Sequence, residues 1–283
     1  MNQAKIYLPL ITSFSSDQKK LVKQKILGKY KEHNMNIDEF KKYDTLYQGF
    51  VKSQKYRYCF MMVLEENYKE LVTPYKNIKT VTYKPTEIEK VAIMLSAYSY
   101  SGVYARKDYK KYEYIKEESS KNIAVYRYKS LFSDNIFIAY RGTNDREDII
   151  PDMYIVRNKH EISNRFDAAL DKYDDIKKKY PKAKIHVTGH SLGGALAIWV
   201  LTKRKSCYKG YVFNPGYNGY LTPKINLNHD NLKVFMVKGD IICNTIFAMK
   251  SEMKPAKKNW IILAGDNMKP LKNHSMNNFT KLV

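Results

Sequence analysis

Cysteine is scarce in this 283-residue chain. The three present, Cys59, Cys207 and Cys243, lie far apart, form no C-x-x-C pair and are odd in number, so neither a disulfide framework nor a zinc site is expected. A reducing compartment, cytoplasmic by default, follows as the expectation. Long apolar runs are also lacking. The richest, residues 58–64 and 91–98, fall well short of the ~18 residues a membrane span requires. Residues 1–11 carry one early lysine, are interrupted by Pro9 and contain no small-residue cleavage site, so no signal peptide is expected. Acidic residues are the other deficit: 28 Asp and Glu against 50 Lys and Arg leave a net charge of +22. Such a field draws a protein towards polyanions or anionic headgroups. The excess is dispersed, however, with +8 in residues 1–84 and the rest downstream, and no zinc finger or RNP strand accompanies it. A solvated basic surface is therefore expected ahead of a dedicated nucleic-acid partner, with peripheral contact to an anionic membrane kept open. There is no internal repeat and no long low-complexity segment.

What the chain does contain is a strand, a tight turn and a helix around one serine. Ile185-His186-Val187-Thr188 runs into Gly189-His190-Ser191-Leu192-Gly193-Gly194 and then into the apolar, helix-forming residues 195–201. Glycines two residues either side of Ser191 remove the Cβ atoms that would collide where the chain reverses, and the turn presents the serine hydroxyl outward. The Leu192 N–H at the helix start then points to where an oxygen acquires negative charge, and the helix dipole adds to it.

The string from Val187 to Ala197 resembles the nucleophile elbow of class 3 (fungal-type) lipases, within the α/β hydrolases. The likeness extends over roughly residues 86–283. It is strongest at the elbow and at Arg141-Gly142-Thr143, which resembles the aromatic-Arg-Gly-Ser/Thr signature of that family. The resemblance implies that the Thr143 N–H joins the Leu192 N–H in an oxyanion hole. It also implies a lid just after Thr143, for which residues 144–157 supply apolar Ile149, Ile150, Met153, Tyr154, Ile155 and Val156. Two departures stand out: Ile149 where Trp is usual, and Asn164-Arg165-Phe166 in place of a His-x-Gly-Phe-like stretch.

In this fold the order along the chain is serine, acid, histidine. Of six histidines only His229 and His274 follow Ser191, and no Asp or Glu lies between Ser191 and His229, which leaves His274 as the base. His190, inside the elbow, is read as a packing or turn residue. The acids between are Asp230, Asp240, Glu252 and Asp266. Asp240 follows the 234–237 strand through Gly239 and would sit at the same sheet edge as Ser191; Asp266, after the 260–263 strand, is the alternative.

Residues 1–84 read as a basic, mostly helical extension, and residues 85–283 as the hydrolase-like domain. Thr86 and Glu89 mark a helix start. Strands are expected at 122–128, 136–140, 185–188, 211–213, 234–237 and 260–263, with a helix over 162–180 between the second and third of these. The fold class is thus α/β, an α/β-hydrolase sheet plus an N-terminal helical extension. The function expected is a serine ester hydrolase of acyl lipids, acylglycerols by resemblance, with Ser191, Asp240 and His274 as triad and no metal or organic cofactor. A phospholipase, a small-ester esterase and an inactive hydrolase fold serving as a basic binding protein are the alternatives.

Overall fold

The structure, a computed structural model, describes residues 11, 14, 16–67, 79–131, 133–142, 159–216, 229–240, 259–265 and 270–283. Its centre is a seven-stranded sheet whose spatial order follows chain order: β1 (Glu113–Tyr114), β2 (Ile123–Lys129), β3 (Asp134–Tyr140), β4 (Lys184–His190), β5 (Lys209–Phe213), β6 (Leu232–Val237) and β7 (Trp260–Leu263). The first three pair antiparallel, and β3 through β7 are parallel. β2 and β3 form a hairpin closed by the Ser130 N–H to Ser133 carbonyl bond at 2.8 Å. β3 begins earlier than its apolar run suggests, because Asp134 pairs in register with Lys129 and grips Arg127 through two hydrogen bonds of 2.8 and 2.9 Å.

Side-chain alternation along each strand separates two cores. Ile136, Ile138 and Tyr140 of β3, Ile185 and Val187 of β4, and Val234 and Met236 of β6 face one side. There they meet a long helix between β3 and β4 (Lys159–Lys179), through Phe166, Ala169, Tyr173 and Ile176, and the helix Leu192–Lys203 that follows β4. Phe137, Ala139, Tyr211, Phe213, Phe235 and Val237 face the other side, against Glu87–Tyr98 and the C-terminal Phe279. With both faces covered, the parallel strands carry apolar side chains on both sides, which is why short hydrophobic runs mark them in the sequence. Because strand order follows chain order, crossovers of one hand place the helices after β3 and β4 on one face.

Among the described residues the α-helices are, in chain order, α1 (Ser16–Glu32), α2 (Ile37–Lys41), α3 (Leu46–Lys52), α4 (Gln54–Glu66), α5 (Glu87–Tyr98), α6 (Lys159–Lys179), α7 (Leu192–Lys203), α8 (Pro270–His274) and α9 (Asn277–Thr280). The first four make up the basic extension. Thr45 and Gln48 form a reciprocal capping box at α3, and Ser53 caps α4 through the Tyr56 N–H at 3.2 Å. Their inner faces gather Tyr30, Phe40 and Tyr56, the last two stacked at 5.4 Å, and this cluster is continuous with the core on the α6–α7 side of the sheet. Farther on, the Val81 N–H bonds the Ile262 carbonyl of β7 at 2.8 Å, so the chain lies along the sheet edge before α5 begins. At α5 the Glu89 carboxylate accepts from the Thr86 N–H at 2.8 Å, as the sequence pattern predicts.

Candidate active site

Parallel strands end at a common edge, and the residues after β3, β4, β5 and β6 meet there. Ser191 follows β4 directly at φ 55° and ψ −128°, left-handed backbone that a residue with a Cβ adopts only under constraint. Three backbone hydrogen bonds hold it: its N–H to Phe213 carbonyl at 3.1 Å, and its carbonyl to the Gly216 and Ala195 N–H groups at 2.7 and 3.2 Å. The start of α7 passes so close to β3 and β4 that a Cβ on Gly193 would strike the Tyr140 carbonyl, and one on Gly189 the Gly193 carbonyl. Two bare glycines are therefore the condition for this turn, as their spacing about the serine suggests.

Ser191 is 2% exposed, yet its Oγ has no hydrogen-bond partner among the described residues. A buried hydroxyl without a partner is costly and calls for a reason.

After β6, Gly239 at φ 83° turns the chain and delivers Asp240, fully buried, to the same edge. Asp240 Oδ2 lies 2.6 Å from Nδ1 of His274, the last residue of α8. The other imidazole nitrogen, Nε2, is buried and has no partner among the described residues. The structure thus joins Asp240 to His274 and places His274 against the elbow, 4.8 Å ring to ring from His190. No hydrogen bond joins Ser191 Oγ to His274 Nε2.

The backbone around His274 is held from two strands. Asn214, at φ 39° just after β5, accepts from the Val237 N–H at 2.9 Å and donates Nδ2 to the Asn273 carbonyl at 2.8 Å. His190 Nε2 meets the His274 carbonyl at 2.6 Å, and Tyr100 Oη meets His190 Nδ1 at 2.7 Å. Burial, then neighbouring His274, hold the His190 pKa well below its ordinary value, so the ring is neutral. The sequence marks His190 as a packing or turn residue, and no local pattern points to Tyr100. For Asn214, an asparagine directly after an apolar strand was the available signal, since Asn tolerates left-handed backbone.

Leu192 stands at the first position of α7 as expected. Thr143, Asp266 and the lid segment 144–157, including Ile149, lie outside the described residues. Arg165, where the sequence departs from the family pattern, reaches from α6 and donates Nη2 to the Arg141 carbonyl at the exit of β3. Asp230 is exposed in the turn before β6, away from the strand ends that carry Ser191 and Asp240. His186 is a core residue stacked on Phe137 at 4.6 Å, its pKa pushed down to about 3 by burial.

The family model for lipase (class 3) matches residues 153–203, a stretch that includes α6, β4, the elbow and α7. With the sheet order and the elbow, the architecture is settled. The chain has a lipase-like α/β-hydrolase fold. Among solved structures the chain is similar to a triacylglycerol lipase described as having a serine protease triad at its catalytic centre. The identity there is 20%, over 58% of this chain and 75% of that one, with a TM-score of 0.38. It is also similar to the Rhizomucor miehei lipase–propeptide complex, in the native form (16% identity, 58% and 67% coverage, TM-score 0.31) and in a deletion-mutant form (15%, 65% and 72%, 0.32). No curated protein matches the chain.

Proposed function

We propose that this chain is a serine carboxylic ester hydrolase acting on acyl lipids, with acylglycerol as the leading substrate class. The observation that carries the reading is a pair of buried atoms, Ser191 Oγ and His274 Nε2, that have no partner among the described residues, at an edge where Asp240 already holds the far side of the imidazole.

In this reading the Asp240 carboxylate accepts from Nδ1–H, which leaves the Nε2 lone pair to receive a proton. Ser191 Oγ attacks the ester carbonyl carbon as His274 Nε2 takes the hydroxyl proton. The carbonyl oxygen becomes an oxyanion held by the Leu192 N–H and, by resemblance, the Thr143 N–H, each donor contributing about 3 kcal/mol. The tetrahedral centre collapses, the C–O bond to the alcohol breaks, and His274 returns its proton to the departing oxygen. Water, deprotonated by the same imidazole, then releases the acid. No metal is needed for any step. Catalytic hydrogen bonds commonly form only around substrate, and the missing Ser191–His274 bond is compatible with that. Phospholipid or small-ester substrates use the same chemistry, and the net charge of +22 favours an anionic interface.

The missing Ser191–His274 bond also favours a second reading, a retired hydrolase fold that binds anionic membrane or nucleic acid through its basic surface. Fluorophosphonate labelling separates the two: the hydrolase forms an adduct at Ser191 that Ser191→Ala abolishes, and the binding protein forms none. A panel of p-nitrophenyl esters, triacylglycerol emulsion and phospholipid vesicles then sorts substrates.

A further inference from the structure

A hydrogen-bond chain that takes no part in bond making runs behind the site. The His274 main-chain carbonyl is an acceptor only, so His190 Nε2, 2.6 Å away, must carry the proton and donate it. In the neutral ring Nδ1 is then an acceptor, and Tyr100 Oη–H, 2.7 Å away, must donate to it. The carbonyl makes Nε2 the protonated nitrogen, and burial, which favours the neutral ring, leaves Nδ1 to accept from Tyr100. Tyr100 belongs to the turn after α5 and lies against the exit of β3: a Cβ on Gly142 would run into its hydroxyl and would stand 2.6 Å from the His190 carbonyl. The two rings also contact edge to face at 5.8 Å. One hydroxyl therefore touches the loop that leads to Thr143 and the residue beside Ser191, and one further step reaches His274.

We propose that Tyr100 and His190 are positioning residues, a hydrogen-bonded strut that fixes the His274 imidazole against the Ser191 elbow through the His274 carbonyl. It rests on the ester-hydrolase reading for its kinetic consequence, not for its geometry. Asp240 sets which nitrogen of His274 is protonated, and Asn214 holds the preceding carbonyl. The His190 contact is what constrains how far the His274 main chain stands from the residue next to the nucleophile. Aligned donors in a buried chain strengthen one another, which suits a rigid spacer.

The test uses the full chain and four variants: His190→Leu, His190→Gln, Tyr100→Phe and Ser191→Ala. Glutamine places an amide N–H near the position of the histidine Nε2–H, whereas leucine keeps bulk without a donor. Readouts are the rate of fluorophosphonate adduct formation at Ser191, kcat and KM for p-nitrophenyl butyrate, and the downfield NMR resonance of the His274 Nδ1 proton. Thermal unfolding checks folding. His190→Leu should slow labelling and lower kcat about 10²-fold, the scale for an ångström of misplacement, with little change in KM. Tyr100→Phe should give a smaller loss, and His190→Gln should recover most of it. The Nδ1 proton signal should stay sharp in the wild type and His190→Gln and broaden or shift in His190→Leu. Wild-type labelling rate and an unmoved proton signal in folded His190→Leu overturn the strut; if that variant does not fold, the same result in Tyr100→Phe does so. A wild type that takes no label overturns the hydrolase reading instead, and the proton signal still decides the strut.

Discussion

Asp240 Oδ2 and His274 Nδ1 are 2.6 Å apart, and neither side chain is more than 1% exposed. A carboxylate and an imidazole buried this deeply, from a turn after β6 and a helix near the C-terminus, meet only because the fold holds them together. Asp240→Asn is predicted to leave the fold intact and to lower the rate of Ser191 labelling about 10⁴-fold, since an amide can donate to Nδ1 and impose the wrong tautomer. Stopped-flow labelling of both proteins checks it. Asp266→Asn should label at the wild-type rate.

The backbone of Ser191 stores strain that the side chain makes worse. Left-handed φ in a non-glycine residue costs about 1–3 kcal/mol, and glycine relieves it while adding up to ~1 kcal/mol of unfolded-state entropy. Ser191→Gly is therefore expected to unfold at higher urea, by about 1 kcal/mol, while losing all labelling. A lower midpoint would show that the serine is not strained.

A buried ion pair ties β6 to the start of α5. Glu89, 3% exposed, is bonded to Lys233 Nζ, and Lys233 also reaches Tyr83 Oη at 2.6 Å. Burial alone would raise the Glu89 pKa, but the Lys233, Thr86 and Tyr83 hydrogen bonds outweigh it and the value lies below the ordinary carboxylate range. With the folded pKa lowered, this stabilisation is complete above the unfolded value of about 4.3. It is lost as pH falls from there through the folded value. Glu89→Gln should cost about 2 kcal/mol at neutral pH, less than a fully buried pair because Lys233 is partly exposed. In urea titrations the gap between wild type and variant should narrow as pH falls below about 4; a pH-independent gap would contradict the assignment.

Asn214 holds two elements with one side chain, the Val237 N–H of β6 and the Asn273 carbonyl beside His274. Asn214→Ala deprives both buried groups of this partner, at about 1–3 kcal/mol each. It is expected to lower the melting temperature and, in the folded fraction at low temperature, to slow labelling. Loss of stability with an unchanged labelling rate would mean that Asn214 supports the sheet only.

Most of the framework was legible in the chain because it is local. Ile185 to Leu201 carries its own strand, turn and helix chemistry, and the burial of both sheet faces turned strands into readable apolar runs. The position of Asp240 at the sheet edge was legible because Gly239 and a strand precede it. The boundaries were less legible: α6 starts at Lys159, ahead of the apolar spacing that marks it from 162, because its polar first turn carries no periodic signal. The long-range contacts were not legible at all. Tyr100 and His190 lie 90 positions apart, and His190 and His274 84 apart, so nothing in local pattern announces their hydrogen bonds. Likewise, helical content in the extension was readable, but the joining of Tyr30, Phe40 and Tyr56 to the sheet's core was not.

Covalent capture is the direct test of whether Ser191 is an activated nucleophile. Full-length protein is incubated with a fluorophosphonate probe and digested, and the adduct is located by mass spectrometry. A single adduct on Ser191, absent from Ser191→Ala and strongly slowed in Asp240→Asn, is the predicted result. A folded wild type that stays unmodified while a reference esterase in the same tube is labelled would contradict the account.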